Sequence, residues 1–234
     1  MAFIQVDGAN LFYDFKQREE NQETIVFLNG LMASAEHWAF QSLFLEKFNF
    51  NILTLDFKGQ LKSDAPDDKN YSIETHAKNL KILLDEINIQ KAHLITTSYG
   101  GRVGMTFSAI YSDYVKSLSL IDTTAQLDKL LKLKFKVWKS LILKKQYQEY
   151  ALAMMSHVYG KQYIQKNWAA LEARIDILVK LPEQYYNGIV YLLDSLINAK
   201  DNKLVHYLEN IQCPALVVLG EEDFLTHREW SDHI

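Results

Sequence analysis

Short apolar runs divide much of the chain into strands that alternate with helical stretches. Five runs of four to seven residues are too short for helices, as expected of strands buried on both faces of a parallel sheet. The runs are Thr24–Leu28, Asn51–Leu55, His93–Thr96, Val115–Ile121 and Ala215–Leu219.

Two further patterns complete this part of the chain. Phe3–Val6 and Leu11–Phe15 flank the turn residues Asp7–Asn10, which predicts an opening hairpin. An amphipathic helix is predicted where apolar residues recur at steps of four and three, at Ile73, Ala77, Leu80, Leu84 and Ile87. The alternation of strand and helix predicts an α/β fold with a mostly parallel central sheet flanked by helices.

The alternation stops from Ala125 to about Asn210, where the chain is rich in Leu, Tyr, Trp and Met at helical spacing. Because a strand pattern resumes at Ala215, we expect a helical insertion between two late strands. The predicted organisation is a core of residues 1–124 and 211–234 with a helical lid of residues 125–210 over the mouth of the sheet.

Composition limits the classes of function. With 234 residues, 48% of them hydrophobic, and only 9 Gly and 3 Pro, the chain is expected to bury one core without a flexible linker. A net charge of −4 argues against nucleic acid as a partner. The single Cys213 excludes an intramolecular disulfide and Cys-rich zinc sites. Without a leader pattern or a long apolar run, we expect a cytoplasmic protein with no stable membrane association.

Two groups of residues in the insertion leave alternatives open. Lysines interleave with apolar residues between 129 and 145, which is typical of a membrane-surface helix or, as we favour, of a lid helix with one solvated face. Large side chains farther along are expected to line an acyl pocket, to hold the lid together, or both. They are Met154, Met155, Tyr159, Trp168, Tyr185, Tyr186 and Tyr191.

The strongest chemical signal is the segment Leu94–Gly101, an apolar strand that runs into Ser98 and then a pair of glycines. Such a strand–turn–helix junction strains the serine backbone, so the residues two before and two after it must be small. Gly100 meets this requirement, while Thr96 occupies the other small position. The segment is therefore identified as a nucleophile elbow.

With three other motifs, this elbow resembles the α/β-hydrolase superfamily, in particular its small esterase and lactonase-like members with a helical lid. Asn29–Met32 stands where the family has the oxyanion loop His-Gly-x, and Asp56–Ser63 is similar to Asp-x-Arg-Gly-x-Gly-x-Ser. Gly220–Asp223 resembles the Gly-x-x-Asp segment that carries the catalytic acid.

The resemblance implies a serine hydrolase that cleaves a small or medium carboxylic ester, thioester or lactone through an acyl-enzyme. Ser98 would be the nucleophile, the backbone N–H groups of Leu31 and Tyr99 the oxyanion hole, and Asp223 the acid that orients a histidine. Asp122, after the preceding strand, is a rival acid. The implied partner is a small-molecule acyl substrate, with no metal and no organic cofactor.

The histidine of this triad has no clear position. In the family it follows one further strand beyond the acid, whereas this sequence ends at Ile234. A C-terminal truncation is therefore expected, with His37, His227 and His233 as internal alternatives. His76 and His93 are expected to be structural, and His157 and His206 to lie on the surface or in the lid.

A second hypothesis is a ligand receptor or signalling protein that keeps the fold and pocket but turns over slowly or not at all. Thr96, Gln60 and Leu61 favour it mildly. The oligomeric state and the identity of the acyl and leaving groups are not encoded in these patterns.

Overall fold

The computed structural model describes residues 1–18, 22–199, 204–226 and 234. Its centre is a seven-stranded sheet with the strand order β1-β2-β4-β3-β5-β6-β7. The strands are β1 (Ala2–Val6), β2 (Ala9–Lys16), β3 (Thr24–Leu28), β4 (Asn51–Leu55), β5 (Ala92–Thr97), β6 (Val115–Ile121) and β7 (Ala215–Val218).

The sheet confirms the predicted α/β fold. β1 and β2 form the antiparallel hairpin, β2 pairs antiparallel with β4, and every other pairing is parallel. β3, β4 and β6 begin and end at the predicted residues. β3 and β4 are buried along their whole length, which explains why their sequences are almost uninterrupted apolar runs.

In the described ranges, three α-helices accompany the first six strands: α1 (Ala39–Leu45), α2 (Ile73–Glu86) and α3 (Tyr99–Ile110). The Ser72 hydroxyl accepts the N–H of Thr75 and so caps the start of α2, the predicted amphipathic helix. Sequence periodicity does not predict α1, because its large apolar residues Phe40, Leu43 and Phe44 are exposed and mark no buried face.

Between β6 and β7 the described residues form helices and no strand. The helices are α4 (Lys129–Leu143), α5 (Tyr147–Val158), α6 (Lys161–Lys166), α7 (Trp168–Val179), α8 (Glu183–Asn198) and α9 (Val205–Leu208). α4 buries Leu131, Phe135, Trp138 and Ile142, while Lys139 forms an ion pair with Asp194 of α8. This pattern supports a helix with one solvated face. No helix of the described ranges has the length and apolar composition needed to cross a membrane.

The helical segment (residues 125–210) contacts the loops at the carboxyl ends of the strands. The Tyr150 hydroxyl lies against the sulfur of Met32 in the loop after β3. α8 crosses the loop after β4 at Gly188, where a methyl group would overlap the backbone of Gly59. Gly59 itself has φ +86°, a left-handed conformation that favours glycine. Glycine at this position therefore allows both the turn and the close approach of the two backbones.

The Gly188–Gly59 contact predicts the sign of a stability change. Gly→Ala in a helix interior ordinarily stabilises by up to about 1 kcal/mol. We expect Gly188→Ala instead to lower the free energy of unfolding by about 1–3 kcal/mol, because the new methyl group forces the backbones apart. Urea unfolding measures this change, with Ser140→Ala on the exposed side of α4 as the control. A stabilised Gly188→Ala variant would contradict the contact.

Candidate active site

Ser98 lies at the junction of β5 and α3 with a strained backbone, at φ 50° and ψ −114°. The end of β6 holds this conformation from both sides. The Ser98 N–H donates to the carbonyl of Ile121 (3.0 Å), and the Thr123 hydroxyl donates to the Ser98 carbonyl (2.7 Å). The predicted elbow geometry is therefore present.

The glycines after Ser98 allow α3 to start beside β3. A methyl group on Gly100 would overlap the backbone of Leu28 and Asn29. Thr96, in the position where the family motif has glycine, directs its γ-methyl group toward Gly104, where an added methyl would be only 2.8 Å away. The small residue that the elbow needs is supplied one helical turn later, so Thr96 is accommodated.

The predicted oxyanion loop lies directly against the elbow. A methyl group on Gly30 would be 3.6 Å from Cβ of Ser98. Among the described residues, nothing accepts a hydrogen bond from the N–H of Leu31 or of Tyr99. Both N–H groups belong to residues of the same cavity wall as Ser98, so two donors are available for a negatively charged oxygen.

Buried polar groups support this loop from below. Asn29, which replaces the family's histidine, donates through Nδ2 to the Leu55 carbonyl (2.6 Å) and accepts the indole N–H of Trp38 (2.7 Å). Asp56 accepts the N–H groups of Ala35 (2.6 Å) and Lys62 (3.1 Å), and burial raises the pKa of this carboxyl. Asn29 and Asp56 thus fix the loop by satisfied hydrogen bonds.

Two carboxylates lie at the carboxyl ends of β6 and β7. Asp223 accepts the N–H groups of Leu225 (2.7 Å) and Thr226 (2.8 Å), and the Thr226 hydroxyl donates to its second oxygen. Asp122 accepts the N–H of Gly220 (2.8 Å), at the start of the loop that carries Asp223. Burial, and secondly the charge of Asp223, raise the pKa of Asp122. Asp122 is therefore an anchor for the loop of Asp223.

These groups open into one cavity of about 430 Å³. Its wall includes Ser98, Leu31, Tyr99, Asp122 and Asp223. The helical segment adds a mostly apolar roof, which includes Leu127, Leu131, Phe135, Trp138, Met154, Val158, Tyr159, Leu178 and Leu196.

The large side chains that were expected to line an acyl pocket or to hold the lid together have different surroundings in the structure. Met154 and Tyr159 line the cavity, whereas Met155, Tyr185 and Tyr186 are buried in the hydrophobic core. Trp168 is 55% exposed. Tyr191 packs against the ring of Tyr71, at 5.1 Å between centroids. The hydrophobic pattern alone does not separate these roles.

No histidine of the described ranges lines this cavity. His37 accepts the N–H of Ser34 through Nδ1 (3.0 Å), and its Nε2 lies 2.9 Å from Nη2 of Arg174 on α7. Burial, and secondly the charge of Arg174, lower the pKa of His37.

The other histidines are also engaged elsewhere. His76 is fully buried beside the ring of Tyr99, and burial lowers its pKa to about 3. The Nδ1 atom of His93 lies 2.8 Å from the Ser117 hydroxyl, His157 lies near the Trp138 ring, and His206 is exposed. His227 and His233 lie outside the described residues.

Acidic residues and arginines are the charged groups in the described part of the cavity wall. In the described part of the chain, His, Cys, Asp and Glu do not cluster in threes that would hold a metal ion. Arg102 lies in the same wall and donates through Nη1 to the Thr124 carbonyl (2.7 Å). Burial lowers the pKa of Arg102 to about 10.

Hydrolases are prominent among the similar proteins. A Pantoea ananatis protein named as a candidate carbamate hydrolase, RutD, is 26% identical over 92% of this chain and 76% of its own length. The serine hydrolase BPHL of Mus musculus is 24% identical over 100% of this chain and 74% of its own length.

Solved structures share the fold over nearly the whole chain. MGS-M2, an α/β-hydrolase enzyme from a Medee basin deep-sea metagenome library, has a TM-score of 0.90 and 24% identity, over 99% of this chain and 84% of that one. The enol-lactonase of Burkholderia xenovorans LB400 has a TM-score of 0.82 and 25% identity, over 99% and 85%. The family model for the α/β-hydrolase fold matches residues 23–231. The chain therefore belongs to the α/β-hydrolase family.

Proposed function

We propose that this protein is a serine hydrolase that cleaves a small or medium carboxylic ester, thioester or lactone through an acyl-enzyme intermediate. The observation that carries the proposal is the strained Ser98 beside two unpartnered N–H groups in an apolar cavity. Hydrolases among the relatives support hydrolytic activity, and the similar enol-lactonase supports ester or lactone cleavage.

Ser98 carries out the covalent step. Its Oγ attacks the carbonyl carbon of the substrate while a general base takes the hydroxyl proton, because a neutral serine is a poor nucleophile. The N–H groups of Leu31 and Tyr99 stabilise the oxyanion of the tetrahedral intermediate. The base then returns the proton to the leaving group. In the second half of the reaction the same base deprotonates a water molecule, which attacks the acyl-enzyme carbonyl, and Ser98 leaves with the proton.

Asp223 is the acid that orients the base. Three hydrogen-bond donors converge on its two oxygens and fix the orientation of the carboxylate, which an acid that orients a histidine requires. The raised pKa of Asp122 and its bond to Gly220 favour an anchoring role for that residue instead.

The general base comes from outside the described residues, because no described histidine lines the cavity. His227 and His233 belong to that undescribed set, and in the family order the histidine follows the acid.

The substrate is a small molecule with an apolar acyl part. Leu131, Phe135 and Met154 line the cavity, and about 430 Å³ is within the usual range for small-ligand sites. Residues 125–210 act as a lid, because four of its long helices contribute side chains to the same wall as Ser98. An apolar roof excludes water and strengthens the oxyanion bonds.

A receptor with slow or no turnover is the second candidate, favoured by the lack of a described histidine in the cavity. The two candidates differ in the reactivity of Ser98. An activated serine reacts with fluorophosphonates, whereas a receptor serine without a base does not. Labelling of a His227→Ala/His233→Ala double variant then decides whether either of these histidines is the base.

The first of two predictions from this mechanism concerns the nucleophile. A fluorophosphonate probe should label the active protein once, at Ser98, and Ser98→Ala should abolish the labelling because no other side chain is activated at the elbow. Intact mass spectrometry measures the adduct, with the surface substitution Ser140→Ala as the control that keeps full labelling. Unchanged labelling of Ser98→Ala would refute the nucleophile.

The second prediction ranks the two acids. Asp223→Asn should lower kcat for a p-nitrophenyl ester by about 10⁴, because the base loses its correct tautomer and the stabilisation of its cation. Asp122→Asn keeps an oxygen that accepts the Gly220 N–H, so we expect a loss below about tenfold. Steady-state kinetics on the active protein measures both. The reverse ranking would make Asp122 the acid.

A further inference from the structure

We propose that Gln60 is a positioning residue that orients the oxyanion loop. Its buried side-chain amide holds two successive peptide planes of that loop, and one of these planes carries the Leu31 N–H. The inference rests on the proposed hydrolase function and adds a residue that acts through the loop rather than on the substrate.

The Gln60 side chain is almost fully used by this loop. Nε2 donates to the carbonyls of Gly30 (2.8 Å) and Leu31 (3.0 Å), while Oε1 accepts the N–H of Phe57 (3.1 Å). Gln60 is 1% exposed, so water does not compete for these bonds. The Phe57 bond fixes the amide orientation, because only the oxygen can face that N–H.

The geometry of the peptide bond transmits this contact to the oxyanion hole. In a trans peptide the C=O of one residue and the N–H of the next point in opposite directions within one plane. When Gln60 holds the Gly30 carbonyl, it therefore turns the Leu31 N–H to the opposite side. That N–H has no acceptor among the described residues, and Gly30 lies against Ser98.

Without Gln60, little would hold the oxyanion loop in the orientation that it has in the structure. The Gly30 carbonyl keeps a longer bond from the Ala33 N–H (3.2 Å), but in the described ranges Gln60 is the only donor to the Leu31 carbonyl. Leu31 is buried, so its orphaned carbonyl would be costly and would favour a shift of the loop toward water. A shifted loop loses the preorganisation on which an oxyanion hole depends.

The test compares Gln60→Met with Ser63→Ala. Methionine keeps the length of the side chain but removes both donors. Ser63 lies in the same loop, is buried, and bonds to Asp56 and Phe12 without touching the oxyanion loop. The control variant thus disturbs the loop after β4 to a similar degree and leaves the carbonyls of Gly30 and Leu31 in place.

We expect Gln60→Met to lower kcat about ten- to hundredfold with KM changed less than about threefold, since the lost interaction acts on the transition state. Ser63→Ala should keep kcat within about threefold. In NMR spectra of ¹³C-labelled protein, the carbonyl signals of Gly30 and Leu31 should move upfield in Gln60→Met only.

Two results would overturn the proposal. Equal kcat in the two variants of an active protein would leave Gln60 a purely structural residue, and unchanged carbonyl signals would show that Gln60 does not hold the loop. A wild-type protein whose Ser98 is neither labelled nor active would instead refute the hydrolase function, which the variant comparison alone cannot do.

Discussion

The left-handed backbone of Ser98 is the constraint on which the rest of the site depends. A non-glycine residue at φ 50° is strained, and it persists only because neighbouring segments hold it. The end of β6 supplies two of these contacts, through Ile121 and Thr123. Gly100 allows the start of α3 to lie against the end of β3. The ends of β3, β5 and β6 must therefore meet for the Ser98 hydroxyl to lie at the carboxyl edge of the sheet. The geometry of the site thus depends on the order of the strands.

The loop after β4 contacts both the oxyanion loop beside the elbow and the helical segment. Gln60 holds the oxyanion loop from one side, and Gly59 contacts Gly188 of α8 on the other. Asp56 and Asn29 complete a buried polar layer in which the amide and carboxylate groups have partners. Such layers are stable when every group is satisfied and costly when one is not, so the loop has little freedom to move.

Two aspartates at adjacent strand ends have different surroundings. Several donors converge on Asp223, whereas burial and the charge of Asp223 raise the pKa of Asp122. The hydrogen bond from Gly220 to Asp122 ties the loop of Asp223 to the end of β6. One carboxylate thus positions the segment that carries the other.

The sequence by itself determined the strands, the helical segment and the position of the elbow at Ser98, because each depends on a local pattern. Continuous apolar runs identify β3 and β4, and a strand followed by a small-residue turn identifies the elbow. Only the tertiary structure decided the contacts of Asp122, Gln60 and Thr96. Each contact involves a residue far along the chain: Gly220 for Asp122, Gly30 for Gln60, and Ser119 of β6, whose carbonyl accepts the hydroxyl of Thr96. No local pattern in the sequence indicates such a contact, because only folding brings the two residues within hydrogen-bond distance.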